Sequence, residues 1–307
     1  MVLYLVKRLV VGVVVILLVA TAVFFITRVI SNPALAFLPI DASREQRDDV
    51  LHYLGLDQSL RSQYWHFLVQ LAHLNLGTSF WQQGKPAADI VFARLPDTLI
   101  LDGVAIALSV AIAVPLGVVA ALRPGSKLDR GTTTVSLLGL SIPEFWLGFM
   151  LVLIFGVKLH WFPTSGAHGA SSIVLPALSL ALPTSGKIAQ MMRSSMIDEL
   201  DQPYMLTAES KGMTTAYRIT RHALRNCLVP VFTQSSFEFA RMLAGYTVVV
   251  EVVFAWPGVG QLIVQALQNQ DLVLLQAIVI ILAALIVLVN VITDVLYNVI
   301  DPRIEVA

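Results

Sequence analysis

The chain has 307 residues, of which 57% are apolar and 13% are charged, and its mean hydropathy is +0.78. Soluble domains contain about 45–50% apolar and about 25% charged residues, so this composition excludes a soluble globular protein and predicts an all-α, polytopic membrane protein. The 20 Lys and Arg balance the 20 Asp and Glu, which argues against a nucleic-acid partner. The chain has one cysteine, Cys227, which excludes an intrachain disulfide and a Cys-rich metal site.

Apolar stretches near twenty residues predict membrane-spanning helices, because about 30 Å of hydrocarbon requires about 20 residues at 1.5 Å each. The first stretch follows Lys7 and Arg8 and could be taken for a signal peptide, whose apolar core has only about 7–15 residues. Its core, residues 9–26, is longer, so we expect a retained helix. The sequence predicts six spans, at residues 6–30, 98–122, 132–157, 173–194, 228–250 and 273–300.

The basic residues predict the orientation, since short cytoplasmic loops carry an excess of Lys and Arg. Among the short loops assigned to the outside, only Lys158 is basic. Both termini, including the tail 301–307, are therefore expected in the cytoplasm. The basic residues assigned to the inside are Lys7, Arg8, Arg123, Lys127, Arg130, Arg193, Lys211, Arg218, Arg221, Arg225 and Arg303.

The segment 32–97, which follows the first span (residues 1–31 with the N-terminus), is expected to be extracytoplasmic and partly helical. Ser59 suits a helix N-cap, and Asn75 to Gly77 ends the pattern. A shorter helix is predicted over residues 44–54. The apolar residues at helical spacing after Ser59 are Leu60, Tyr64, Phe67, Leu68 and Leu71.

The loop 195–227, between the fourth and fifth spans, predicts two short helices. Asp201 or Gln202 can cap the first, with Pro203 in its first turn, and Gly212 can end it in the left-handed conformation. The second begins near Thr214 or Thr215. It places Arg218, Arg221 or His222, and Arg225 on one face. This loop is either a docking element for a partner or a linker whose arginines only enforce the topology.

Catalytic motifs are missing from the sequence. The string nearest to a phosphate-binding loop, residues 181–188, lacks the first glycine and the last hydroxyl residue of that motif. Ser165 and Ser185 lack the upstream glycine of a serine-nucleophile motif, and all six histidines fall outside the predicted spans. We therefore expect no catalytic residues, no metal site and no ATP hydrolysis by this chain.

Short sequence motifs along the whole chain, taken in order, resemble those of a known family. This family is the first of the two permease subunits of ATP-binding-cassette importers of the dipeptide, oligopeptide and nickel class. The loop carries the coupling signature of that family with a glycine at Gly212, although the usual Glu-Ala-Ala core reads Ala-Glu-Ser. The strings are 56–57, 63–64, 76–80, 94–98, 141–148, 161–166, 207–212, 222–226 with Pro230, 251–260 and 301–304.

The resemblance implies a type I importer permease whose core, residues 98–300, forms half of an alternating-access pathway in the bacterial plasma membrane. It implies a second homologous permease, two ATPase subunits or domains that bind ATP and magnesium, an extracytoplasmic solute-binding protein and surrounding lipid as partners. A peptide or a related small solute is the expected cargo. The residues it assigns to ATPase coupling are Thr207, Ala208, Glu209, Ser210, Lys211, Gly212, Met213 and Arg218.

Polar residues within the spans are the candidates for the pathway or its gate, because charges at membrane depth usually face a cavity. Glu238 and Arg241 form either a structural pair or part of the pathway. Asp102 and Asp294 are expected near span ends, in contact with water and without a role. The remaining candidates are Pro143, Glu144, Phe145 and Trp146 at a predicted kink, Glu251, and Trp256, Pro257 and Gly258, which read as an interfacial anchor or a bend beside the outer gate.

The rival functions are an ion-gradient-driven secondary transporter, a channel and an intramembrane enzyme. Secondary transporters often contain paired repeats with broken helices, and no convincing internal repeat is seen in this sequence.

Overall fold

The protein was analysed as a computed structural model that describes residues 2–30 and 57–300. The predicted helix at 44–54 and the tail 301–307 lie outside these residues. The described helices are α1 (Val2–Phe25), α2 (Leu60–Ala72), α3 (Ala87–Ala121), α4 (Lys127–Ser141), α5 (Glu144–Leu151), α6 (Val174–Leu200), α7 (Pro203–Ser210), α8 (Thr215–Tyr217), α9 (Leu224–Arg241), α10 (Thr247–Val253), α11 (Val259–Gln268) and α12 (Leu272–Ile300).

Several helices are extended by turns of different pitch. A 3₁₀ turn, Ala170–Ile173, leads into α6. The π-helical continuations are Ile26–Ile30 after α1, Val152–Lys158 after α5, Arg218–Ala223 after α8 and Met242–Tyr246 after α9.

Four of the predicted spans are confirmed as helices that are long and apolar enough to cross a membrane. The third predicted span is instead two helices, over 127–139 and 144–158, that meet at 99°. The described residues therefore contain four such helices, or five if the bent pair is one span, and the predicted count of six is not confirmed. The four are Val6–Arg28, Ala87–Ala121, Ala170–Leu200 and Leu272–Leu296.

The fifth predicted span corresponds to α9 and α10, which are not one regular apolar helix. Helical geometry is interrupted at Gly245, and α9 carries Gln234, Glu238 and Arg241 within it. These polar groups reduce the hydropathy of the segment. An apolar face and a polar face on the same helix are typical of a helix that borders a cavity rather than lipid alone.

Two compact units divide the chain, and the first comprises Met1–Asp97 and Pro257–Val287. In it, Ser59 caps α2 as predicted, with its side chain accepting a bond from the Ser62 amide. The end of α1 packs on α2, where the Phe24 and Phe67 rings stack with centroids 5.1 Å apart. The Asp271 carboxylate, before α12, accepts bonds from the Ser79 hydroxyl and the Trp81 amide.

The second unit comprises Thr98–Trp256 and Leu288–Ala307, and α6 packs against α4, α5, α9 and α10 within it. A Cβ atom at Gly186 would lie 2.9 Å from the Ser136 carbonyl oxygen, so only glycine permits this approach of α6 to α4. Small residues allow such close helix packing in membranes. The glycine that gave residues 181–188 their slight likeness to a phosphate-binding loop therefore has a packing role.

Candidate coupling loop and pathway residues

Helix α7 begins and ends as the sequence predicts. Gln202 occupies the N-cap position and Pro203 follows it in the first turn. Gly212 has a φ of +76°. The amide of Gly212 donates to the Glu209 carbonyl at 2.8 Å, and the amide of Met213 donates to the Ala208 carbonyl at 3.2 Å. These two bonds define a Schellman motif, which satisfies carbonyls at the helix end.

Helix α7 is anchored through one face and presents the other. Met205 is buried in a cluster that includes Ile219 and Ala223, and Ala208 is buried on the same face of the helix. Leu206 is 64% exposed, and it lies beside the exposed Glu209. The predicted contact residue Ala208 therefore faces the interior of this unit. Leu206, which the sequence reasoning did not select, is the main apolar side chain that the helix offers outward.

Polar contacts tie the loop to its neighbours. Arg218 Nη1 lies 2.8 Å from Glu209 Oε2, so the turn between α7 and α8 is bridged. The Tyr204 hydroxyl donates to Glu199 at the end of α6, and the Asn226 amide donates to the same carboxylate at 2.7 Å. Burial, followed by the bond to Glu199, raises the pKa of Tyr204 to about 12. The phenol therefore stays a proton donor at neutral pH.

The arginines of the second helix, predicted to share one face, differ in their surroundings. Thr214 caps the helix start, with its hydroxyl accepting from the Tyr217 amide. The helix continues as the π-helical segment Arg218–Ala223, whose first residue, Arg218, pairs with Glu209, while Arg221 and Arg225 are exposed. This change of pitch carried no signal in the sequence.

Pro143 lies at a break between two helices, where a kink was predicted. Helix α4 ends at Ser141 and α5 begins at Glu144, with Pro143 in extended geometry between them. Proline disfavours helical geometry at the preceding residue, which accounts for the break. Phe145 and Trp146 are both exposed beyond it, so these side chains are available to a cavity, to lipid or to another subunit.

Glu238 and Arg241 pair as predicted, but the closer partner of Glu238 comes from α6. Arg241 Nη1 lies 3.3 Å from Glu238 Oε1, and Lys187 Nζ lies 2.8 Å from Glu238 Oε2. Gln234 also donates to Glu238 at 3.1 Å. Sequence reasoning missed Lys187 because it is 51 residues from Glu238, and only the packing of α6 on α9 brings them together.

Glu251 belongs to a pair of reciprocal contacts between α3 and α10. The Thr98 hydroxyl donates to Glu251 Oε1 at 2.6 Å, and the Thr247 hydroxyl donates to Asp102 Oδ1. Both acids have 0% exposure. The expectation that water reaches Asp102 near a span end is therefore wrong. Helix α3 begins at Ala87, well before the predicted span start at 98, which places Asp102 deep within the helix.

Trp256, Pro257 and Gly258 form the connection between α10 and α11. The Trp256 side chain is buried in an apolar cluster with Phe254, which favours the bend over a surface-exposed aromatic anchor. Arg94 donates to the Pro257 carbonyl at 3.3 Å, and Gly258 is the N-cap of α11. Helix α11 itself was not predicted, because ten residues are too few to register as a span.

These helices define a polytopic membrane protein, and comparison with known families gives its class. The chain belongs to the family of binding-protein-dependent transport system inner membrane components, which matches residues 113–306. The corresponding N-terminal family matches residues 1–102. It is thus a multi-pass inner-membrane permease of the ATP-binding-cassette importer class, and ATP hydrolysis lies with partner subunits rather than with this chain.

Relatives that match most of the chain include two permeases of known transport systems. An oligopeptide transport system permease of Bacillus subtilis (strain 168) is 36% identical over 284 residues, covering 89% of this chain and 90% of the relative. The glutathione transport system permease of Escherichia coli (strain K12) is 33% identical over 303 residues, covering 98% of each.

A solved structure shares the fold. An inward-facing methionine ABC transporter superposes with a TM-score of 0.60 at 18% identity, covering 69% of this chain and 96% of that chain. This likeness supports the type I importer permease architecture that the sequence resemblance implied.

Proposed function

We propose that this chain is one of two related membrane subunits of an ATP-driven importer of peptides. The relatives that match along most of its length are named for oligopeptide and glutathione transport, and glutathione is itself a small peptide. Selection among individual solutes would lie largely with the extracytoplasmic binding protein that delivers them.

The observation that carries the proposal is the geometry of α7. Its eight residues span about 12 Å, whereas the hydrocarbon core of a membrane is about 30 Å thick. One face is buried by Met205 and Ala208, while Leu206 and Glu209 point away from the unit. A short, anchored helix with an apolar side chain exposed suits a groove on a partner protein. In our proposal that partner is an ATPase subunit, which binds ATP and magnesium.

The orientation belongs to the proposal as well. We place α7 and both chain termini in the cytoplasm, where the ATPases lie, and the segment 32–97 outside, where the binding protein docks. The unequal distribution of Lys and Arg supports this arrangement. Pro143 to Trp146, Glu238, Arg241, Glu251 and Trp256 to Gly258 remain candidates for the pathway and its gate.

The test is reconstitution of the permease with its partner permease, ATPases and binding protein in lipid vesicles. Uptake of dipeptides, longer peptides and glutathione should require ATP and the binding protein, and the permease alone should hydrolyse no ATP. Uptake driven by an ion gradient without ATP would instead establish the secondary transporter. ATP hydrolysis by the purified chain alone would contradict the proposed division of labour.

A further inference from the structure

A cationic cluster lies between α6, which is within a candidate membrane span, and α9. Lys187 and Arg241 both contact the Glu238 carboxylate, at 2.8 and 3.3 Å. Two positive charges share one negative charge, so the cluster carries an excess of one positive charge. Arg241 Nη2 also contacts the Tyr246 hydroxyl.

The positive groups of this cluster are accessible, although the negative group is not. The Glu238 side chain is 3% exposed, whereas those of Lys187 and Arg241 are 25% and 35% exposed. A charge facing hydrocarbon is costly, and charged groups within spans generally face a water-filled cavity or another protein group. The exposed part of Lys187 and Arg241 is therefore available to a water-filled pathway or to a polar group of another subunit.

Aromatic rings border the same surface. The Arg241 guanidinium lies 5.0 Å from the Tyr246 ring centroid and 5.9 Å from that of Phe237. Lys187 Nζ lies 5.9 Å from the Tyr246 centroid. Phe237 is 57% exposed. Excess positive charge beside exposed aromatic faces suits a ligand with an anionic group on a partly apolar body.

We propose that Lys187 and Arg241 form a carboxylate-binding station for the solute along the translocation pathway. The proposal rests on the proposed function and adds a substrate requirement at the permease itself: a free carboxylate, as at a peptide C-terminus. Lys187 Nζ keeps donor capacity beyond its bond to Glu238. Glu238 partly offsets the charge, which keeps binding weak enough for the solute to leave.

The first test measures the local potential without any solute. Phe237→Cys is introduced into a Cys227→Ala chain within the assembled transporter, and the rates of modification by an anionic and a cationic thiosulfonate reagent of similar size are compared. We expect the anionic reagent to be favoured. Lys187→Met should lower the anionic-to-cationic rate ratio about fivefold, as expected for one unit charge several ångströms away in a wet site.

Two further variants calibrate this measurement. Lys158→Met removes a lysine from a different segment, at the end of the π-helical continuation of α5, and should leave the ratio unchanged. Glu238→Gln removes the offsetting carboxylate and should raise it. An unchanged ratio with Lys187→Met and Glu238→Gln would overturn the proposal. So would no modification by either reagent, because Phe237 would then face lipid or another subunit.

The second test uses transport. Uptake of a peptide with a free C-terminal carboxylate is compared with uptake of its C-terminal amide, through wild-type and Lys187→Met permease served by the same binding protein. Because the binding protein is common, a change in the acid-to-amide ratio belongs to the permease. We expect the ratio to fall with Lys187→Met. An equal acid-to-amide ratio in wild-type and Lys187→Met permease would refute the carboxylate-binding station even where peptide import is normal. Absence of ATP-dependent peptide uptake by the wild type would refute the proposed function instead.

Discussion

Buried acids in this protein are held by threonine hydroxyls from neighbouring helices. On α3, Thr98 and Asp102 are four residues apart, and on α10, Thr247 and Glu251 have the same spacing, so each helix presents one hydroxyl and one acid on one face. The contacts are reciprocal and antiparallel: the Thr98 hydroxyl donates to Glu251, and the Thr247 hydroxyl donates to Asp102. Four side chains thereby join two helices at a point where water is excluded.

The Thr247 contact should be important for stability, because Asp102 Oδ2 is buried without a hydrogen-bond partner among the described residues. Thr247→Val keeps the side-chain shape and removes the donor to Oδ1. The carboxyl group would then be left without that bond, at a cost of about 1–3 kcal/mol. We expect a lower Tm of the purified permease in detergent.

Thr233→Val is the matched control for this change. The Thr233 hydroxyl is exposed and donates only to the Val229 carbonyl within its own helix, so its loss should change Tm little. The double variant Asp102→Leu, Thr247→Val removes both partners and should recover much of the lost stability, since paired replacement by apolar groups can be nearly neutral. Equal Tm values for Thr247→Val and Thr233→Val would show that the contact contributes nothing.

At the scale of elements, the loop from α7 to α9 is held in place by several contacts. The Schellman motif ends α7, the bridge from Glu209 to Arg218 spans the turn, and Met205 is buried beneath. A docking helix benefits from such support, because ordering a loose segment on binding would cost conformational entropy.

Gly212→Val tests the coupling role through backbone conformation alone. A Cβ at Gly212 would meet nothing within 4 Å, but the φ of +76° is unfavourable for a β-branched residue by about 1–2 kcal/mol. The end of α7 should therefore distort, and we expect the ATPase to co-purify less and solute-stimulated ATP hydrolysis to fall, while the permease still inserts in the membrane.

Gly84→Val is a closely matched control. Gly84 has a φ of +79° and likewise has nothing within 4 Å of its added Cβ, but it lies in the segment assigned to the outside. Backbone strain is therefore similar in the two variants, and ATPase association should be normal with Gly84→Val. If Gly212→Val also retains full association and uptake, the loop is a linker.

At the scale of the whole molecule, the proposed orientation places two exposed side chains on opposite sides of the membrane. Trp65, on α2, and Leu206, on α7, are both well exposed. In a Cys227→Ala chain, Trp65→Cys should react with an impermeant thiol reagent added to intact cells, and Leu206→Cys only after the cells are opened. The reverse pattern would invert the topology, and labelling of both from outside would contradict the predicted spans.

Composition and local pattern were sufficient to predict the helical membrane class, four spans, the Ser59 cap and the limits of α7. Each of these depends on neighbouring residues: long apolar runs, a hydroxyl before a helix, or a glycine after one. The resemblance of strings along the chain also led to the permease family, which the family match confirms.

Tertiary structure decided what local pattern cannot express. The π-helical turn at Arg218 and the depth of Asp102 depend on how each helix packs, and the partner of Glu238 is a lysine on another helix. Apolar runs are read by length and hydropathy, so a segment such as 132–157 or 228–250 is predicted as one span, although the first contains two helices at 99° and the second is interrupted at Gly245. Hydrophobicity along the chain determines which segments prefer the membrane, whereas side-chain pairing between helices depends on contacts that sequence spacing alone does not specify.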